Sequence, residues 1–324
     1  MSEEPLQTGV VGVGSMGRNH ARVYSELGET ELVGVADADA AAADRVATEF
    51  DTTPYVTSDL LERADAVSVA VPTRFHADTV QNAIDAGVHV LCEKPFVADP
   101  DRGRELAAAA RAAGVTLQVG HIERFNPAVR ALEAIVPELD VIAVTADRLG
   151  PPLERDIDTS VVFDLMIHDI DVVCSLLDSE PASLAATGST DGNYATATCS
   201  FDGGVTASLT ASRVTQQKVR QLAITAADCR VNVDYLDQSV EIHRGSTPEY
   251  VSADGDLRHR VESVVERPLV ENGEPLKREL AAFAEAVRNG TEPVVTAEDG
   301  VRAVEVATRV AAQIADREPQ EVRP

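Results

Sequence analysis

Three residues of this chain have the types and neighbours that proton and charge transfer require: Lys94, His168 and Asp164. Lysine occurs only at 94, 218 and 277, and Lys94 stands between a carboxylate and a proline in Glu93-Lys94-Pro95, directly after an apolar run. A partly buried ammonium can polarise a hydroxyl or stabilise a developing alkoxide. A salt bridge with a neighbouring acid is the other use of such a lysine. In Asp164-Leu165-Met166-Ile167-His168-Asp169-Ile170-Asp171 the first aspartate and the histidine are four residues apart, a spacing that shares one face of a helix. Histidine titrates near neutrality and an adjacent carboxylate orients its ring, so the pair suits general acid/base work. The same residues also fit a metal-binding fragment, or a structural helix with Asp169 and Asp171 on a solvated face.

A second constellation is a glycine turn. Gly9-Val10-Val11-Gly12-Val13 reads as a buried strand, residues 15–27 read as a helix, and between them run Gly12-x-Gly14-x-x-Gly17. In a dinucleotide-binding turn the first glycine permits the bend, the second lets the backbone approach a pyrophosphate, and the third lets helix pack on strand. The helix N-terminus adds unpaired N–H groups. The next strand, Glu31-Leu32-Val33-Gly34-Val35-Ala36, ends on Asp37, twenty residues beyond Gly17, where an acidic residue reaches the adenosine ribose. A carboxylate there repels a 2′-phosphate, which favours NAD over NADP. Asp37 could equally cap a helix beginning at Ala38.

The elements that must position these residues alternate from about residue 6 to 120. Strands are expected at 64–71, 88–92 and 115–119, and helices at 75–86 and 100–113. Strand alternating with helix implies a parallel sheet with right-handed crossovers, a doubly wound α/β domain. Such sheets deliver the C-terminal ends of their strands to a ligand crevice. Pro72-Thr73-Arg74-Phe75-His76, Glu93-Lys94-Pro95 and His121-Ile122-Glu123-Arg124-Phe125-Asn126-Pro127 follow three of those strands. Beyond residue 121 the pattern changes. Helices are expected at 126–135 and 161–177 and a strand at 140–148, then short strands at 194–201, 205–213, 221–225, 229–234 and 239–243. Asp202-Gly203-Gly204 is a hairpin signal. The reading is an α+β domain with an open antiparallel sheet, closed by helices at 276–289 and 297–316. The domains are accordingly placed at 1–121 and 122–324.

Hydrophobic residues make up 44% and charged residues 25%, as in a globular protein, but 54 Asp and Glu against 28 Lys and Arg leave a formal net charge of −26. Screening by salt relieves the self-repulsion of such a surface, so adaptation to a salty cytosol is expected. Nucleic acid and anionic membranes are excluded as partners, because no basic patch offsets the field. Cys92, Cys174, Cys199 and Cys229 lie far apart without a C-x-x-C pair, which disfavours zinc and a disulfide framework. No metal is expected. With no signal peptide before the first strand and no apolar run of membrane length, a cytoplasmic protein is expected. An uncovered sheet face in the second domain, with apolar or small alternate positions in Val205–Leu209 and Leu222–Ile224, predicts a homodimer or homotetramer.

Taken together, the glycine turn, Glu93-Lys94-Pro95 after a strand, Asp164 with His168 and Asp171, and the closing segment through Glu279, Phe283 and Pro293 resemble the Gfo/Idh/MocA family over nearly the whole chain. The resemblance implies a Rossmann domain followed by an open-sheet domain, and oxidation or reduction of a sugar or cyclitol hydroxyl with a nicotinamide cofactor. It implies Lys94, Asp164 and His168 as the catalytic group. It places Gly12, Gly14, Ser15, Met16, Gly17, Asp37, Pro72, Thr73, His76, Glu93 and Lys94 at the cofactor, and Lys94, Arg124, Asn126, Asp164 and His168 at the substrate. Met166 departs from the glycine of many relatives. More narrowly, Gly120–Pro127, Asp164–Asp171 and Glu274-Pro275-Leu276 resemble archaeal-type UDP-N-acetylglucosamine 3-dehydrogenases, which implies a nucleotide sugar oxidised at C3. A free-sugar or inositol dehydrogenase is the alternative within the family. A cofactor-sensing regulator without turnover is the alternative outside it, and that class should lose the lysine and histidine retained here.

Overall fold

The structure, a computed structural model, describes residues 4–152, 159–245, 249–253, 256–260 and 263–316. The chain forms two compact units, one running through Phe125 and taking in Gly273–Glu305, the other comprising Asn126–Asn272 and the residues from Val306 onward.

In the first unit the chain order is β1 (Leu6–Val11), α1 (Ser15–Glu26), β2 (Thr30–Ala36), α2 (Ala40–Glu49), β3 (Pro54–Tyr55), α3 (Thr57–Leu61), β4 (Ala66–Val69), α4 (His76–Asp85), β5 (His89–Glu93), α5 (Pro100–Ala113) and β6 (Leu117–Gly120). The six strands are all parallel in the order β3-β2-β1-β4-β5-β6. The order reverses between β1 and β4, and ligands of such sheets bind outside the strand ends at that reversal. Because helices cover both faces, the central strands are apolar on both sides. Val67, Val69, Val90 and Cys92 pack towards Val80, Leu106 and Ala107 of α4 and α5. Ala66 and Leu91 face the other way, onto Ala21 and Tyr24 of α1. Ser68 and Glu93 alternate onto that second face and are also buried.

Sequence reading finds these strands but overextends β4 and passes over β3 and α3, which are too short to carry a period. It also starts α2 two residues early. Asp39 is the N-cap, its carboxylate accepting from Ala41 N at 3.0 Å, so Asp37 is not that helix's cap.

The second unit contains α6 (Pro127–Ile135), β7 (Val141–Leu149), a π-helical turn at Val162–Met166 leading into α7 (Ile167–Leu176), β8 (Ser183–Gly188), β9 (Tyr194–Ser200), β10 (Thr206–Ser212), β11 (Val219–Ala226), β12 (Cys229–Asp234), β13 (Ser239–Gly245), β14 (Glu249–Ala253), β15 (Asp256–Arg260) and β16 (Ser263–Glu266). Among the described residues, eight strands form one sheet in the order β16-β13-β12-β11-β7-β10-β9-β8, and β14 pairs with β15 in a separate two-stranded sheet. The expected antiparallel sheet needs one correction, since β7 and β10 run parallel at its centre. Gly203 and Gly204, at φ 81° and 88°, make the β9–β10 turn in a backbone region that favours glycine.

One face of this sheet buries Val144, Ala197, Leu209, Leu222, Ile224 and Val231. The opposite face carries Thr145, Asp147, Thr198, Ser208, Thr210, Gln221 and Arg230, all at least partly exposed. Leu209, Leu222 and Ile224, which sequence reading assigns to a subunit contact, therefore belong to the unit's own core. The accessible face is mostly small and polar, because alternation sends most large apolar residues of the central strands inward, although Ile142 of β7 and Tyr194 of β9 stay exposed.

The chain then closes with α8 (Pro275–Asn289) and α9 (Ala297–Ala315). Leu276, Leu280 and Phe283 of α8 lie in the same core as Val10, Tyr24 and Leu91. The division at 121/122 thus differs from the compact units, which return Gly273–Glu305 to the first. Amphipathic spacing announces a helix with an apolar stripe, but not which core receives it. No described helix is long and apolar enough to cross a membrane.

Candidate active site

The glycine turn after β1 has three different environments. Gly12 sits at φ +88°, and a Cβ there would lie 2.7 Å from the backbone of Ala70 and Val71. A Cβ on Gly17 would lie 1.7 Å from Gly12 O, so only glycine lets α1 start this close to the strand. At Gly14 a Cβ would meet nothing within 4 Å. Two glycines are thus demanded by backbone packing, and the one between them faces open space, where a pyrophosphate approaches. Gly14 is also the N-cap of α1 and brings no side chain to its first-turn N–H groups. A helix N-terminus of this kind attracts anions. Ser15 is exposed and Met16 half-buried beside the turn.

Asp37 bridges the turn to the loop beyond β2. Its Oδ2 accepts from Val13 N at 2.7 Å and its Oδ1 from Asp39 N at 2.8 Å. The two backbone bonds fix a half-buried carboxylate beside the glycine turn.

At the ends of β4 and β5 the sequence-predicted residues separate into two groups. Pro72 is exposed, and Thr73 opens a short 3₁₀ turn, Thr73–Phe75. His76 is buried instead, with Nε2 donating to Val71 O at 2.8 Å and Nδ1 facing Pro95 O at 3.0 Å. It ties the loop after β4 to the loop after β5. Lys94 is half-buried and its peptide to Pro95 is cis. Glu93 is turned inward: Oε1 lies 2.9 Å from His20 Nε2, and Oε2 accepts from Lys94 N at 3.2 Å. His76 and Glu93, both expected to face the cofactor, are committed to the protein's own framework.

Arg124 and Asn126 depart from their expected place at a crevice rim, since both are buried. Arg124 Nη2 donates to Val294 O at 3.4 Å within the first unit. Asn126 caps α6 by accepting from Ala128 N at 3.1 Å, while Nδ2 donates to Tyr235 O at 3.1 Å. Asparagine before Pro127 is a strong helix start, and that local signal competes with any reading of Asn126 as a ligand contact.

In the second unit Asp164 lies within the π-helical turn and His168 in the first turn of α7, both half-buried. A π turn holds an extra residue, so the uninterrupted α-helical spacing assumed for this pair does not apply. Such turns concentrate at functional sites. Arg213, buried at the end of β10, donates from Nη2 to Asp164 Oδ2 at 2.8 Å and from Nη1 to Thr159 O at 2.8 Å. Sequence reading misses Arg213, because nothing in the strand text pairs it with a helix about fifty residues earlier. Asp169 and Asp171 are 2% exposed, which overturns a solvated helical face. Asp169 makes a two-pronged ion pair with Arg148 of β7, both bonds 2.8 Å. Breaking such a buried pair costs about 3–5 kcal/mol, so it fixes α7 on the sheet.

Residues 6–121 match the oxidoreductase family described by its NAD-binding Rossmann fold, and residues 145–243 match the GFO/IDH/MocA C-terminal domain. The chain belongs to the Gfo/Idh/MocA family. Among relatives, the UDP-N-acetylglucosamine 3-dehydrogenase of Acidithiobacillus ferrooxidans is 36% identical over 250 residues, 74% of this chain and 78% of that protein. An inositol 2-dehydrogenase of Rhizobium meliloti is 28% identical over 333 residues, 96% of this chain and 98% of that one. A solved structure of the Acidithiobacillus enzyme superposes with a TM-score of 0.88 at 30% identity, covering 96% of this chain and 98% of that chain. As a Gfo/Idh/MocA protein the chain is an oxidoreductase whose first unit binds NAD, and the environments of Gly12, Gly14 and Gly17 fit that cofactor.

Proposed function

We propose that this chain oxidises a sugar hydroxyl to a ketone with NAD, and that the substrate is UDP-N-acetylglucosamine, oxidised at C3. The observation that carries this reading is the 36% identity over 250 residues to an enzyme of that name. An inositol is the second reading, favoured by a match over 96% of the chain to an inositol 2-dehydrogenase. A sensor without turnover has no use for Lys94 and His168, and both are present. The test is NAD reduction at high salt with UDP-sugars, free hexoses and inositols. Activity confined to inositols or free sugars rejects the nucleotide sugar and leaves the family reading intact.

Bound NAD supplies the acceptor for the hydride removed from the alcohol carbon. In the proposed scheme His168 takes the hydroxyl proton and Lys94 balances the charge that develops on the oxygen. Asp164, tethered by Arg213, orients the imidazole. Gly12, Gly14 and Gly17 admit the pyrophosphate, with Ser15 and Met16 beside it and Pro72 and Thr73 at the neighbouring strand end.

Asp37 should discriminate between cofactors. The wild type is expected to bind NAD more tightly than NADP, and Asp37→Ala to narrow the gap by removing charge repulsion against the 2′-phosphate. Titration of each cofactor by fluorescence or calorimetry checks this, and equal wild-type affinities would remove the role given to Asp37.

The net charge of −26 motivates the proposal of a salt-adapted protein. Its melting temperature should rise as salt increases from low to molar concentration, because screening first weakens like-charge repulsion. A salt-independent midpoint in a thermal scan contradicts it. We also propose that the small polar face of the eight-stranded sheet joins two subunits. Light scattering at high salt should return the mass of a dimer or of a tetramer built from dimers, and a monomer mass refutes the contact.

A further inference from the structure

Four polar side chains stand in a row inside the first unit, where a doubly wound fold needs only apolar packing. His20 is fully buried on α1, with Nδ1 2.9 Å from Ser68 Oγ on β4 and Nε2 2.9 Å from Glu93 Oε1 on β5. Tyr24 OH, one helical turn further along α1, lies 2.9 Å from the same Ser68 Oγ. Around them are Val13, Ala21, Val23 and Leu91. Gly120 of β6 makes room for the carboxylate, since a Cβ there would lie 3.2 Å from Glu93 Cδ.

With a neutral imidazole at His20, one direction of hydrogen bonds satisfies every member of the row. A carboxylate only accepts, so His20 Nε2 carries a proton and donates to Glu93. Ser68 then donates to Nδ1, and Tyr24 donates to Ser68. Burial, and secondarily the charge of Glu279, pushes the Tyr24 phenol up, which keeps it a donor. Burial also pushes the Glu93 carboxyl up, but the hydrogen bond from His20 and the nearby charge of Lys94 outweigh it and hold Glu93 below the ordinary carboxylate range. Its second oxygen accepts from Lys94 N at 3.2 Å.

Replacing a buried polar group of this kind by apolar residues of similar shape is often neutral or stabilising, so stability alone is a weak reason for the row. Through Glu93 the row reaches the backbone of Lys94. We infer that His20, Glu93 and Ser68 are positioning residues that lock the backbone and charge environment of Lys94 from inside the sheet. The inference rests on the reading of Lys94 as a catalytic residue. Glu93 thereby acts on the reaction through Lys94 rather than by touching the cofactor.

The experiment is a double-mutant cycle between His20→Leu and Lys94→Ala, reading kcat, KM, NAD affinity and melting temperature with UDP-N-acetylglucosamine, or with myo-inositol should the wild type prefer it. His20→Leu should lower kcat about tenfold or more while NAD affinity stays within about threefold, and in the Lys94→Ala background it should cause little further loss. His20→Gln retains one donor and one acceptor and should recover most of the lost kcat. Multiplicative losses in the double variant, or wild-type kcat in a folded His20→Leu protein, overturn the inference. Should His20→Leu not fold, Ser68→Ala replaces it and is read in the same way. An unchanged kcat in Lys94→Ala alone instead overturns the catalytic reading of Lys94, so the two failures are distinguishable.

Discussion

Replacing Lys94 with alanine is expected to lower turnover on the order of 10²–10³-fold, the usual consequence of removing one group aimed at developing negative charge. The loss should fall on kcat, because charge on the substrate oxygen grows between the bound alcohol and the transition state. NAD affinity should change little, since the glycine turn and the N-terminus of α1 do not depend on the ammonium. The structural reason for a large effect is the setting. Lys94 is half-buried, and its neighbour Glu93 is held by His20 inside the sheet, so water has limited means to replace the lost charge. Steady-state kinetics together with calorimetric NAD binding measure both quantities. A parallel fall in kcat and in NAD affinity would reassign Lys94 to cofactor binding.

His168→Ala should cost roughly 10²–10⁴-fold in rate, the scale of a lost general base. The wild-type rate should fall on the acidic side as the imidazole is protonated, and this limb should vanish in the variant. Asp164→Asn should be milder if the carboxylate orients rather than transfers. Arg213 sharpens that expectation, because the asparagine would retain an oxygen able to accept from Nη2 while losing the ion pair. Near wild-type turnover in His168→Ala, with an unchanged pH profile, assigns the base elsewhere and makes Lys94 the first replacement.

Much of the fold is legible because it is written in local patterns. The three glycines have the distinct environments their spacing implies, and α5, β12 and the β9–β10 turn stand where propensity places them. What escapes is non-local. Arg213 reaches Asp164, Arg148 reaches Asp169 and His20 reaches Glu93 across long stretches of chain, and no periodicity links such partners. The π turn at Val162–Met166 is invisible for a related reason, since apolar spacing there reads equally well as α-helix. Asn126 and His76 also carry structural roles that sequence reading does not assign them. Polar residues near strand ends invite a ligand-binding role, and here one is also a helix cap and the other a tie between loops.

The most direct test is to incubate the wild-type protein with NAD and UDP-N-acetylglucosamine at high salt and follow both NADH and the sugar ring by NMR. The proposed activity predicts one NADH formed per sugar consumed, with loss of the C3 proton signal. Absence of NADH with this nucleotide sugar, alongside turnover of an inositol or a free sugar, contradicts the substrate. Absence with every member of the panel contradicts the oxidation itself.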